Sequence, residues 1–375
     1  MMAEQTEFRP GLEGIIASET DISYLDVAAE QIVIRGYDLI ELARTVTYVD
    51  VVGLLLDGTL PDEAQQTKLA AELAAEAALP DAIWPIVAYP APHKEAMDIL
   101  RTGISALAAF DEELGDRSRE ANRRKALRLL AKVPNLVANG YRLQTGQAPI
   151  EPKRELSYGA NFLYMLTGRL PDEREERAFD QSLIVYSEHE MPNSTFVARV
   201  IASTQSDLYG ALTGAVASLK GTLHGGANEA VMYMLQEAKT PEGLEKLMKA
   251  RLAGKERIMG FGHRVYMKKM DPRALLMKEA LADLCERRGS RELYEMCELG
   301  ERIMREEKGL YPNLDYYAAP VYYLLGIPID LYTPIFLASR TAGIGAHVME
   351  QHANNRLFRP RVLYNGPRGL RPTLQ

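Results

Sequence analysis

Cysteine is almost absent from this chain: Cys285 and Cys297 are the only two, and they do not form a CxxC pair. That argues against a disulfide framework and against a thiolate metal cage. No apolar run approaches the roughly 20 residues that a membrane-spanning helix needs, which excludes a membrane protein. Long runs of one charge and low-complexity linkers are missing too, and with them the marks of a disordered tail. Nothing near the start reads as a signal peptide, so the expected compartment is the reducing cytoplasm. None of the six histidines pairs in an HExxH or comparable spacing, so no metal is expected. Surplus positive charge is also lacking. A formal net charge of -7 argues against nucleic acid as a partner, and any anionic ligand must meet a local cationic cluster.

What is present suits a large soluble core. At 375 residues, with 47% apolar and 25% charged residues, the chain exceeds the size at which one core keeps growing, so a large domain with a smaller one is expected. After an extended start over roughly residues 10 to 36, the pattern is helical. Asp38 is placed to cap "LIELA". "LLLDGTLPDEAQ" and "YMLTGRLPDERE" share one syntax, Gly ending a helix and Pro opening the next at its first position. An internal duplication would produce that repeat, but so would any tight turn between helices.

The histidines carry the chemistry. His93 in "YPAPHKEAM", and His347 and His352 flanking "VMEQ", read as surface, capping or packing residues. His224 stands in "LKGTLHGGANEAV", before two glycines and a helix that begins near Asn228. A helix N-terminus disfavours imidazolium, and a neutral N–H donor suits an enol or enolate oxygen. A histidine packed at a crowded turn is the plainer alternative. His263 in "IMGFGHRVYMKKMDPR" is preceded by Gly260 and Gly262 and followed by Arg264, Lys268, Lys269 and Arg273. Such a group can polarise a carbonyl on a substrate that also carries carboxylates, although most charge runs are merely solvated. His189 in "VYSEHEMPNSTF" precedes Pro192, and is read equally as a buried structural residue or a carboxylate ligand. Asp315 in "YPNLDYYAAP" looks like an N-cap, yet its apolar and aromatic neighbours would raise its pKa and suit it to general-base work.

Taken together, "LKGTLHGGANEAV", "IMGFGHRVY", "MDPRA", "YPNLDYY" and "PRVLYNGP" resemble the citrate synthase family, from "IRGYDLIELA" to "NNRLFRPR". The resemblance implies a mainly helical, two-domain homodimer with short β-strands near the N-terminus. The large domain would comprise residues 1–220 and 322–375, and residues 221–321 would form the small one. It implies condensation of acetyl-CoA with oxaloacetate, then hydrolysis of citryl-CoA, with no cofactor and no metal. A 2-methylcitrate synthase using propionyl-CoA is the alternative, and a non-catalytic helical scaffold is a more distant one. By resemblance, Asp315 removes a methyl proton, His224 hydrogen-bonds the thioester oxygen and His263 polarises the ketone. His189, Arg273 and Arg340 would hold oxaloacetate, with Arg359 reaching across from a second subunit. Backbone at Arg257, Ile258, Met259 and Gly260 would hold the CoA adenine, the glycines allowing close approach. The chain departs from the family pattern in a spacer one residue longer before Arg273, in Thr222 where proline is usual, and in Ala318 where serine is frequent.

Overall fold

The computed structural model of the chain describes residues 8–89, 95–263, 269–289 and 291–372. His93, Arg264 and Lys268 lie outside the described residues. The extended start forms a small antiparallel sheet, in which β1 (Ser23–Asp26) pairs with β2 (Gln31–Ile34), and β2 with β3 (Tyr37–Asp38). Among the described residues sixteen α-helices follow. The first ten are α1 (Leu39–Thr45), α2 (Tyr48–Asp57), α3 (Glu63–Glu76), α4 (Ile83–Ala88), α5 (Ala96–Leu107), α6 (Arg119–Gln144), α7 (Tyr158–Thr167), α8 (Glu173–Ser187), α9 (Asn193–Ser203) and α10 (Leu208–Leu219). The remaining six are α11 (Ala227–Ala238), α12 (Pro241–Ala253), α13 (Pro272–Arg288), α14 (Glu292–Lys308), α15 (Leu314–Leu324) and α16 (Tyr332–Ala353). None is long and apolar enough to cross a membrane.

Caps set most boundaries. Asp38 accepts hydrogen bonds from the Ile40 and Glu41 amides at 2.8 and 2.9 Å and starts α1, as expected. The repeated Gly–Pro syntax resolves differently from its reading in sequence. Gly58 and Gly168 do end α2 and α7 in the left-handed region, but Pro61 and Pro171 precede the next helices instead of opening them. Asp62 and Asp172 take the N-cap, each in a capping box with Gln65 or Glu175. Two otherwise unpaired amides are satisfied that way, which a proline at the first position does not achieve.

α16 is the axis of the larger group. It is buried on nearly every face and packs against α2, α6, α8, α9 and α10, as a helix apolar all round must. Small residues permit this closeness. A Cβ on Gly343 would overlap the Glu188 carboxylate and lie 2.6 Å from the Ser187 carbonyl oxygen. Beneath it runs a buried polar chain: Glu188 accepts from Ser23 Oγ at 2.8 Å and meets His347 Nε2 at 3.1 Å, while His347 Nδ1 lies 2.9 Å from Arg199. His347 is therefore a core residue tying the sheet to α8, α9 and α16. His352 is structural too, bridging Asn122 Nδ2 and the Ser206 carbonyl at 2.9 and 3.0 Å.

Helices α11 to α15 pack chiefly on one another, and meet the rest through α8, α1 and α16. Ion pairs cross that boundary, Arg44–Glu279 and Arg174–Asp283 each at 2.7 Å and Lys269–Glu30 at 3.0 Å. All but Glu30, which is half-buried, are solvent-exposed, and surface pairs are worth about 0 to 1 kcal/mol each.

Replacing Gly343 tests the close packing at α16. Gly343→Ala should lower unfolding stability by about 1 to 3 kcal/mol, because the neighbour it strikes includes backbone. Urea denaturation reads the difference, and an unchanged midpoint would mean that α16 has room to shift.

Candidate active site

The site is assembled where four chain breaks converge. α8 ends at Ser187, and the chain turns through Glu188, His189 and Glu190, the last at φ +58°, before α9 begins beyond Pro192. α10 ends at Leu219, and a turn carries His224 up to the start of α11. The segment after α12 delivers His263, and α15 begins beside it. These last two are stitched together: Asn313 N donates to the Gly260 carbonyl at 2.9 Å, Gly262 N to that of Tyr311 at 2.9 Å, and Asn313 Nδ2 to that of Gly262 at 3.1 Å. His263 and Asp315 therefore share one rigid support.

Asp315 is not the N-cap it resembles in sequence. Asn313 caps α15 by accepting the Asp315 amide at 3.1 Å, because the shorter reach from Asn313 satisfies the first amides and leaves the Asp315 carboxylate free of the backbone. That carboxylate receives the Tyr186 phenol at 2.7 Å instead. Burial pushes its pKa up, against the lowering effects of the Tyr186 hydrogen bond and of Arg273 and Arg340.

His224 Nε2 accepts from the Ser194 amide at 3.2 Å and lies 2.9 Å from Ser194 Oγ. The hydrogen bonding thus assigns the ring proton to Nδ1. Burial first, then the charge of Arg340, lowers its pKa to about 4. Neutrality was expected from the sequence with α11 as the cause. The amide that meets the ring belongs to α9, and burial is the larger influence. His263 likewise falls to about 4, through burial and then the Arg273 guanidinium, which donates to its Nε2 at 3.3 Å. The rings of His189 and His263 meet edge to face at 5.2 Å. His189 is held well below the usual histidine range by burial, then by Arg273 and Arg340.

Two cationic groups complete this cluster. Arg273 is 5% exposed and braced by Asp271, which accepts from Nη2 at 2.7 Å and Nε at 3.0 Å. Arg340 is 2% exposed, donates Nε to the Tyr186 carbonyl at 2.6 Å and stacks over Phe336 at 4.8 Å. Burial pushes its pKa down to about 10, so it stays charged. Arg340 Nη1 is a buried donor with no acceptor among the described residues, and the buried ring nitrogen His189 Nε2 also has no partner there. Each such group costs about 1 to 3 kcal/mol until a partner reaches it. A polar, anionic ligand would relieve Arg340 Nη1.

Sequence reasoning thus named most of this cluster: His189, His224, His263, Arg273, Asp315 and Arg340 come together. Arg359 stands exposed beyond α16. Arg257 is exposed, Ile258 buried and Met259 half-buried. Gly260 needs its glycine for a protein reason, since at φ +87° a Cβ would press on Val231 and Tyr316 rather than open toward a ligand. Lys269 is exposed and paired with Glu30. Tyr186, Phe336, Ser194 and Asp271 were missed. Phe336 is central, its ring 4.8 Å from Tyr186 and 6.3 Å from His224.

This geometry agrees with what the chain resembles among known proteins. The sequence model of the family described as "Citrate synthase, C-terminal domain" matches residues 11–361. The chain is 62% identical over 367 residues to a citrate/2-methylcitrate synthase of Bacillus subtilis (strain 168), covering 98% of this chain and 99% of that one. The chain belongs to the citrate synthase family. It is also 61% identical over 370 residues to a citrate synthase of Heyndrickxia coagulans, across 99% of both chains. Among solved structures of the family, the citrate synthase of Thermoplasma acidophilum, in ternary complex with carboxymethyl coenzyme A and oxaloacetate, superposes with a TM-score of 0.91 at 32% identity. That match covers 98% of each chain.

The depressed imidazoles have a consequence for stability. The unfolded chain binds protons at these histidines below about pH 6.5, whereas folded His224 and His263 take them up only near pH 4. Stability from these sites is therefore complete above about pH 6.5 and lost as pH falls toward 4. The double variant His224→Gln, His263→Gln should show a flatter dependence of melting temperature on pH across that window. Parallel curves for the two proteins would contradict the assignment.

Proposed function

We propose that this chain condenses acetyl-CoA with oxaloacetate and hydrolyses the resulting citryl-CoA to citrate and CoA, with Asp315, His224 and His263 as its catalytic residues. The observation that carries the reading is the convergence of one basic carboxylate and three neutral histidines on two buried guanidinium groups. Asp315 takes a proton from the acetyl methyl group and becomes a carboxylic acid. The C–H electron pair moves toward the thioester, whose oxygen gains charge and accepts the His224 Nδ1–H. A neutral donor is right for that oxygen, because it stabilises the developing charge without surrendering a full proton. His263 polarises the ketone of oxaloacetate, the enol carbon attacks it, and the alkoxide so formed takes up a proton, which balances the one Asp315 removed. Water then cleaves the thioester.

The substrate carboxylates would be met by Arg340, Arg273 and His189. Arg340 Nη1 supplies a donor already oriented and dry, which supports a carboxylate as its partner. Arg359 would complete the site from a second copy in a homodimer, its exposed place beyond α16 allowing that reach. Arg257, Ile258, Met259 and Gly260 would flank the CoA adenine. Residues 221–321 would act as the small domain and close over the cleft, since an enol and a thioester must be shielded from water. The absence of long apolar helices among the described residues is consistent with a cytoplasmic enzyme.

Propionyl-CoA is the second reading, favoured by the 62%-identical Bacillus subtilis relative described as a citrate/2-methylcitrate synthase. One methylene in an apolar pocket is worth about 1 to 3 kcal/mol, so one site can serve both. Thiol release from each acyl-CoA with oxaloacetate tests this directly. The expected result is a higher kcat/KM for acetyl-CoA, abolished in Asp315→Ala. His224→Ala should lower kcat by about 3 to 4 kcal/mol in barrier while the fold persists. Preference for propionyl-CoA would promote the second reading, and no oxaloacetate-dependent release would overturn both.

A further inference from the structure

Tyr186 lies on α8 one turn before His189, and the reaction scheme above gives it no task. It is 2% exposed, so its phenol is not a surface group. Three contacts fix it inside the site. The phenol donates to Asp315 Oδ1 at 2.7 Å, the Tyr186 carbonyl accepts from Arg340 Nε at 2.6 Å, and its ring lies 4.8 Å from Phe336. One residue thus touches the base, the guanidinium beside it and the aromatic ring that also faces His224.

We propose that Tyr186 is a positioning residue for proton abstraction: its phenol pins Oδ1 of Asp315, leaves Oδ2 to face the acyl methyl group, and sets the basicity of the carboxylate. This rests on the reading of Asp315 as the base. The carboxylate torsion of an aspartate is broad and roughly two-fold, so without a partner both oxygens exchange places freely. Among the described residues no other hydrogen-bond donor meets this carboxylate, Asn313 having taken the Asp315 amide. A near-attack arrangement needs the reacting atoms held about 3 to 3.5 Å apart, and one pinned oxygen removes the main freedom that spoils it.

The electrostatics agree in sign. A hydrogen bond to the charged form of a carboxylate stabilises that form and lowers its pKa. Burial acts the other way on Asp315. The charged and titratable groups around it are Arg273 with Asp271 from the start of α13, Arg340 from α16, Tyr186 from α8 and Tyr322 on α15 itself. On α14, Glu301 is taken up by Lys278 and Tyr317. From α11 comes only uncharged Asn228, beside the Tyr186 phenol. Tyr186 itself is raised well above the ordinary tyrosine range by burial and by Asp315, so it keeps its proton and remains a donor throughout the working range.

The test compares wild type with Tyr186→Phe, which keeps the ring on Phe336 and removes only the hydroxyl. The acid limb of the kcat/KM profile for acetyl-CoA should move up by about one pH unit, since a carboxylate that loses a donor becomes more basic. kcat should fall roughly tenfold or more through lost orientation. The isotope effect with trideuterated acetyl-CoA should grow as enolisation becomes limiting, and KM for oxaloacetate should stay within about twofold. Should the variant not fold, 3-fluorotyrosine placed at residue 186 decides: a stronger donor should move the acid limb down. An unmoved limb and an unchanged isotope effect, in either protein, would reduce Tyr186 to packing. Inactive wild-type protein would instead sink the functional reading, so the two failures are distinguishable.

Discussion

The carboxylate of Asp271 holds the two halves of the site in register. It is 1% exposed and accepts four hydrogen bonds: from Arg273 Nη2, Nε and backbone N at 2.7, 3.0 and 3.0 Å, and from the Leu314 amide at 3.3 Å. The first three aim the Arg273 guanidinium at His263, and the fourth anchors the first residue of α15, next to Asp315. A single anion therefore sets the separation between the side that would polarise a ketone and the side that would remove a proton. A buried pair of this kind adds little net stability over an apolar alternative, but breaking it leaves an uncompensated charge at a cost of about 3 to 5 kcal/mol. Its value lies in geometry.

Around that junction, burial does the chemical tuning. Taking imidazole, carboxylate and guanidinium out of water penalises the charged form of each, so His189, His224 and His263 are neutral and Asp315 is more basic than an exposed aspartate. Arg340 yields a little and stays charged. The result is a cluster in which two guanidinium groups, three neutral imidazoles and one basic carboxylate lie close together. An anionic ligand suits such a cluster, because Arg340 Nη1 is a buried donor with no partner among the described residues.

Much of this was legible in the sequence, for a physical reason. Glycine beside histidine, and Asp–Pro before a helix, are local patterns, and the backbone they demand is the backbone that forms. The His224 turn, the His263 segment and the start of α13 follow from them. Family resemblance then joined residues that no spacing connects. What stayed hidden depends on tertiary contact. Tyr186 and Phe336 sit in apolar helical runs and read as core, since nothing along the chain tells a phenol aimed at Asp315 from one packed in oil. Asp315 passed for an N-cap because Asn313, two residues earlier, is an equally good one, and only the folded helix decides between them. The prolines at 61 and 171 misled in the same way, with an aspartate next to each that caps better. Tertiary contact also accounts for the glycine at 260, since Val231 and Tyr316 occupy the space in which a Cβ would lie.

The claim that this preorganised cationic cluster receives oxaloacetate is tested most directly by calorimetric titration of oxaloacetate, without acyl-CoA, into wild type and Asp271→Asn. Saturable binding by wild type, lost or weakened at least tenfold in a variant whose circular dichroism is unchanged, is the result this account requires. Equal affinity in the two proteins would show that Asp271 does not organise the site, and no binding to wild type would contradict the account at its root.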